Sequence, residues 1–134
     1  MAFVLDASAA VAWAFDDEDH PVAALAQKQL RDVEAHVPSL WWFELRNTLV
    51  VNERRKRIAE IETARFLKTL ARLPIHVDPA PDEATLLGLA RKHKLTVYDA
   101  AYLELAQRLG LPLATLDKGL AAAARAEALP LIGE

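Results

Sequence analysis

The 134-residue chain has no cysteine, which excludes disulfides, thiolate nucleophiles and zinc–sulfur centres. Glycine is scarce. Its four glycines, Gly88, Gly110, Gly119 and Gly133, lie far apart, so no glycine-rich loop exists to cradle a phosphate chain. That removes ATPases and dinucleotide enzymes. Long apolar runs are missing as well: no segment approaches the ~18 residues of a membrane span. The opening Ala2-Phe3-Val4-Leu5 is interrupted at Asp6, and no Lys or Arg precedes Lys28, so the basic start and apolar core of a signal peptide are absent. A cytoplasmic, membrane-free protein is expected. Nor is there an excess of positive charge. Sixteen Lys and Arg face nineteen Asp and Glu, a net charge of −3, whereas proteins that only coat nucleic acid are usually basic. A nucleic-acid role would need a local basic patch and metal ions. The four histidines (20, 36, 76 and 93) are scattered without metal-ligand spacing.

What is present fits a globular protein: 53% apolar and 26% charged residues, enough for one domain over residues 1–134. Short apolar runs alternate with helical patterns. Phe3-Val4-Leu5 reads as a strand ending on Asp6. Ser8 to Phe15 reads as a short helix, broken by the acidic run Asp16-Asp17-Glu18-Asp19. Pro21 opens a helix to about Val33, and His36-Val37 is a minimal strand closed by Pro38. Helices follow from about Leu40 to Arg57 and from Glu60 to Leu73. Then come a strand at Ile75-His76-Val77 and helices from Asp82 to Lys94 and Tyr98 to Leu109, the last stopped by Gly110. Pro112 to Leu116 is a strand, Lys118 to Ala128 a helix, and Leu129 to Ile132 a candidate last strand. This alternation predicts an α/β fold whose parallel sheet is covered on both faces by helices joined through right-handed crossovers.

Four acids fall where such a sheet builds a site. Ligands of open α/β sheets bind beyond the carboxyl ends of the strands. Asp6 ends the first strand, Asp117 lies just past Leu116, and Asp99 is in the first turn of a helix whose N-terminus faces that edge. Each has a plain structural alternative, as Asp6 and Asp117 can cap helices and Asp99 can favour the positive helix end. Glu44 is different. It follows Trp41-Trp42-Phe43, and on a helical wheel Leu40, Trp41, Thr48 and Val51 share its side. A glutamate there must be exposed, paired or bound to a cation. Asn47, one turn on, can hydrogen-bond it or the same ligand. Carboxylates gathered within about 4 Å repel by roughly 4 kcal/mol per pair at an effective dielectric of 20, so a cluster needs a cation. Oxygen donors without cysteine or histidine partners favour Mg²⁺ or Mn²⁺ over zinc.

The residues that carry a family resemblance are Val4-Leu5-Asp6-Ala7-Ser8, Trp42-Phe43-Glu44-Leu45-Arg46-Asn47, Leu95-Thr96-Val97-Tyr98-Asp99-Ala100-Ala101-Tyr102 and Leu113-Ala114-Thr115-Leu116-Asp117-Lys118-Gly119-Leu120. In this order, over almost the full length, they resemble a PIN domain of the VapC toxin type. The resemblance implies a three-layer α/β/α fold with a central parallel sheet. It also implies a Mg²⁺ or Mn²⁺ site formed by Asp6, Glu44, Asp99 and Asp117, with Ser8 and Thr115 as hydroxyl positions beside it. It implies cleavage of single-stranded RNA by metal-activated water, a homodimer, and a small antitoxin (VapB-like) whose C-terminal segment covers the active-site groove.

Two further sets complete the expectations. The run Arg54-Arg55-Lys56-Arg57 reads as a solvated helix end or, through Arg54, Arg55 and Arg57, as a contact to the substrate backbone. Trp13, Phe15, Trp41 and Trp42 flank Asp6 and Glu44 and are either core or an apolar groove for a partner helix. Two rival functions remain at this stage. One is a phosphoesterase on another substrate, although an aspartyl-phosphate phosphatase would want a second Asp where Ser8 stands. The other is a non-catalytic RNA-binding module.

Overall fold

The structure is a computed structural model and describes residues 1–15 and 19–134. The proposed break at Asp16-Asp17-Glu18 lies outside the described residues. The elements run β1 (Phe3–Leu5), α1 (Ala7–Ala12), α2 (Pro21–Gln29), β2 (Ala35–Pro38), α3 (Leu40–Arg54), α4 (Glu60–Leu70), β3 (Ile75–Asp78), α5 (Glu83–His93), α6 (Val97–Leu109), β4 (Leu113–Ala114) and α7 (Lys118–Ala126).

All four strands are parallel, in the order β3-β2-β1-β4, with Val4 beside both His36 and Leu113. Successive side chains of a strand point to opposite faces, yet Phe3, Val4 and Leu5 are all fully buried, so helices cover β1 on both sides. The core continues through Leu45 and Leu49 of α3, Leu103 and Leu105 of α6, and Leu120 of α7.

Local chemistry sets several element ends. Thr96 and Asp82 cap α6 and α5 through their side chains, and Gly110 ends α6 in the left-handed conformation at φ 66°. The last expected strand reduces to one parallel bridge, Leu113 with Leu131, because only Pro130 and Ile132 reach Leu113 with backbone hydrogen bonds. The long helix expected to Arg57 stops at Arg54. Lys56 turns the chain at φ 57°, and Arg57 then folds back onto Asn52 and the Phe15 ring. No helix among the described residues is long and apolar enough to cross a membrane.

The sheet order fixes where chemistry can occur. From β1 the chain steps outward through β2 to β3, then returns across the sheet to β4 on β1's other side. The crevice between the carboxyl ends of β1 and β4 is therefore a topological switch point, the usual binding position in such sheets.

Candidate active site

Asp6 leaves β1 at that crevice and is 6% exposed. It occupies the N-cap position of α1 but makes no side-chain cap bond. Its Oδ2 instead accepts the hydroxyls of Ser8 at 2.7 Å and Thr115 at 2.6 Å. Those hydroxyls are held in turn: Ser8 Oγ accepts the Leu116 N–H and Thr115 Oγ1 accepts the Asp117 N–H, both at 3.0 Å. The start of α1 is thus tied to the loop after β4. Oδ1 is the oxygen these hydroxyls leave open.

Asp117 caps α7, with Oδ1 accepting the Leu120 N–H at 3.0 Å, so its structural alternative holds alongside any other role. Gly119 leaves the room for this: a Cβ there would lie 3.3 Å from Asp117 Oδ1. Asp99 is half-buried in the first turn of α6, where its backbone N–H is capped by Thr96. Glu44 is half-buried on α3, and its Oε1 accepts the Tyr102 hydroxyl at 2.6 Å.

Asp6, Glu44 and Asp99 each feel burial and a neighbouring acid. Burial raises the proton affinity of Asp6 above the usual aspartate range, outweighing the Thr115 and Ser8 hydroxyls, and the Asp117 charge adds to it. Glu44 is raised by burial, against the Tyr102 bond, and further by Asp6 and Asp99. Asp99 is raised by burial and then by Asp117 and Asp6. Burial first, then the Asp6 charge and the bond to Glu44, push the Tyr102 phenol far above its ordinary range, making it a fixed donor.

Oxygen-only donors that repel one another suit a hard divalent cation, whose charge relieves that repulsion. As placed, no three Asp, Glu or His groups among the described residues stand close enough to grip one ion. Asp117 is exposed and Asp99 half-buried, so these two are the least enclosed of the four acids.

The remaining expected residues separate. Asn47 is exposed on α3, and Glu44's bonded partner is Tyr102 instead. Arg54, Arg55 and Arg57 are exposed, Arg57 with its guanidinium 4.7 Å over Phe15. Phe15 and Trp41 are core residues, while half-buried Trp13 donates its indole N–H to the Ala23 carbonyl at 2.7 Å. Trp42 is 46% exposed, edge-on to exposed Phe43 and covered by the Arg46 guanidinium at 3.8 Å. Sequence reasoning gave Tyr102 no role, naming it as the last residue of the Leu95 to Tyr102 segment. Its signal was a hydroxyl at helical spacing from Leu105 and Ala106, on the side of the helix that is buried.

A model of the PIN domain matches residues 3–126, and the chain belongs to the PIN-domain family. Over 125 residues it is 37% identical to the ribonuclease VapC3 of Pyrobaculum aerophilum, covering 90% of this chain and 93% of that protein. The crystal structure of PAE2754 from Pyrobaculum aerophilum superposes with a TM-score of 0.72 at 27% identity, covering 92% of this chain and 84% of that one. FitAcB from Neisseria gonorrhoeae has a TM-score of 0.57 at 18% identity, covering 99% and 97%, a likeness of fold alone.

Proposed function

We propose that this chain is a divalent-metal-dependent endoribonuclease, the toxin of an antitoxin-controlled pair, acting in the cytoplasm as a homodimer on single-stranded RNA. The observation that carries this reading is the placement of Asp6, held by the Ser8 and Thr115 hydroxyls, at the switch point of a PIN-domain sheet, with Glu44 held by Tyr102 on the neighbouring helices. The name of the VapC3 relative supports the nuclease and its substrate class.

In this reading the four carboxylates hold Mg²⁺ or Mn²⁺, which when bound activates water and offsets phosphate charge. Ser8 and Thr115 keep Asp6 turned toward the crevice. Arg54, Arg55 and Arg57, all exposed, are the proposed contacts to the RNA backbone. The two rivals predict different outcomes. Purified protein with Mn²⁺ is expected to cut RNA and to stop when chelator is added. RNA bound but uncut would point to a binding module, and turnover of a small phosphoester alone to another phosphoesterase. Millimolar Mn²⁺ should also raise the melting temperature, since a ligand of the folded state alone must stabilise it. An unchanged melting curve with no heat of binding would refute the metal site.

The proposed antitoxin groove, read from Trp13, Phe15, Trp41 and Trp42, centres on Trp42. Trp41, Trp42, Arg46, Leu67, Leu70 and Val77 line a shallow groove of about 200 Å³. An inhibitor gains most by burying exposed aromatic surface. Trp42→Ser is expected to weaken antitoxin binding about tenfold or more, in the range of interface aromatic losses, and to leave cleavage by the free protein unchanged. Equal affinity by titration calorimetry would remove Trp42 from the interface.

A further inference from the structure

Tyr102 is fully buried on α6, three residues after Asp99. Its hydroxyl oxygen donates to Glu44 Oε1 at 2.6 Å and accepts the Ala7 N–H at 3.4 Å. One atom therefore joins α6, which carries Asp99, to α3, which carries Glu44, and to the residue directly after Asp6. Phenylalanine would fill the same core volume. A buried hydroxyl costs free energy unless it is bonded, so its use lies in the bonds it makes.

Those bonds act on Glu44. A half-buried glutamate with three rotatable bonds loses considerable rotamer freedom on being fixed. A short bond to a charged acceptor is among the stronger hydrogen bonds, and it engages Oε1 alone, without using Oε2. The phenol ring is fully buried in the core, and the first N–H of α1 makes a longer contact to its oxygen from the other side. Groups that orient ligands from behind in this way typically change metal affinity or activity 10–100-fold when removed, a general range of about one to two orders of magnitude.

We propose that Tyr102 is a positioning residue of the acid cluster, holding Glu44 in one orientation and in register with Asp6, so that the more exposed acids can close around them on a divalent cation. This rests on the reading of the four acids as a cation site. The test is Mn²⁺ binding by titration calorimetry, without substrate, for the wild type, Tyr102→Phe, Glu44→Gln and the double variant. Tyr102→Phe is expected to raise the Mn²⁺ dissociation constant about tenfold. In the Glu44→Gln background the same change should add less than about twofold, because coupled residues lose their interaction only once. A purely structural Tyr102 would weaken binding equally in both backgrounds, and that result overturns the proposal. So does a Tyr102→Phe protein that binds Mn²⁺ as the wild type does. A wild type that binds no Mn²⁺ overturns the cation-site reading itself and this proposal with it. A wild type that binds Mn²⁺ but cuts no RNA refutes only the nuclease.

Discussion

Asp6→Asn is expected to reduce RNA cleavage roughly 100-fold or more, as loss of a metal-holding carboxylate does, while raising the melting temperature of the metal-free protein. The two effects have one cause. Burial and the Asp117 charge raise the proton affinity of Asp6 in the folded chain. Between the ordinary aspartate range and the raised value in the folded chain, the unfolded chain has released this proton while the folded chain still holds it, so rising pH favours unfolding. At neutral pH without metal this buried carboxyl therefore costs stability. Asparagine keeps an oxygen for the Ser8 and Thr115 hydroxyls and carries no charge. Removing that cost would raise the melting temperature, by roughly 2–6 °C for each kcal/mol in a chain of this size. The gain should shrink as pH falls toward and below the ordinary aspartate range, where the wild type is protonated in both states. It should reverse in Mn²⁺, which only the wild type can use fully. Glu44→Gln, Asp99→Asn and Asp117→Asn are likewise expected to lose most cleavage and stay folded, the last because asparagine caps helices as well as aspartate. Cleavage assays and calorimetric melts with and without chelator read both effects. Full activity in a protein carrying both Asp6→Asn and Asp99→Asn would end the metal-site reading.

The sheet edge and its acids were legible because they depend on local pattern. A three-residue apolar run ending in Asp6, a Pro-bounded run before Asp117 and a helix start at Asp99 mark strand and helix ends directly. What Asp6 does with its carboxylate was not legible. A local cap and a bond to Thr115, 109 positions away, look alike until β1 and β4 are paired. Tyr102 was hidden for the same reason, since periodicity shows that α6 buries it but not that α3 brings Glu44 to its hydroxyl. The tryptophans could have been separated. Helical spacing puts Trp41 in the stripe of Leu45 and Leu49, which the fold buries, and turns Trp42 about 100° away. Glu104 carried a readable sign too, an acid between Leu103 and Leu105 with an arginine four residues on.

That arginine underlies the largest stability effect expected away from the site. Glu104 is 1% exposed, deep in α6. Arg108 grips it with Nε at 2.8 Å and Nη2 at 3.0 Å, and reaches Asp78 at the end of β3 with bonds of 2.7 and 3.2 Å. The Asp82 N–H, at the cap of α5, donates to the same carboxylate at 3.1 Å. The cluster fastens the edge strand and the start of α5 to α6, the helix that carries Asp99. Arg108→Met removes both charged bonds and leaves Glu104 buried without a cation, a situation that costs about 3–5 kcal/mol. The double variant Glu104→Met, Arg108→Met should recover much of that loss, because an apolar pair of similar volume avoids the stranded charge and sacrifices only the Asp82 and Asp78 bonds. Denaturant unfolding at neutral pH measures both, with the midpoint falling for the single variant and rising again for the double. Cleavage by the folded fraction should be unchanged, since no atom of the cluster touches the four acids. An Arg108→Met protein within about 1 kcal/mol of the wild type, the size of an exposed ion pair, would show that the buried glutamate does not depend on this arginine.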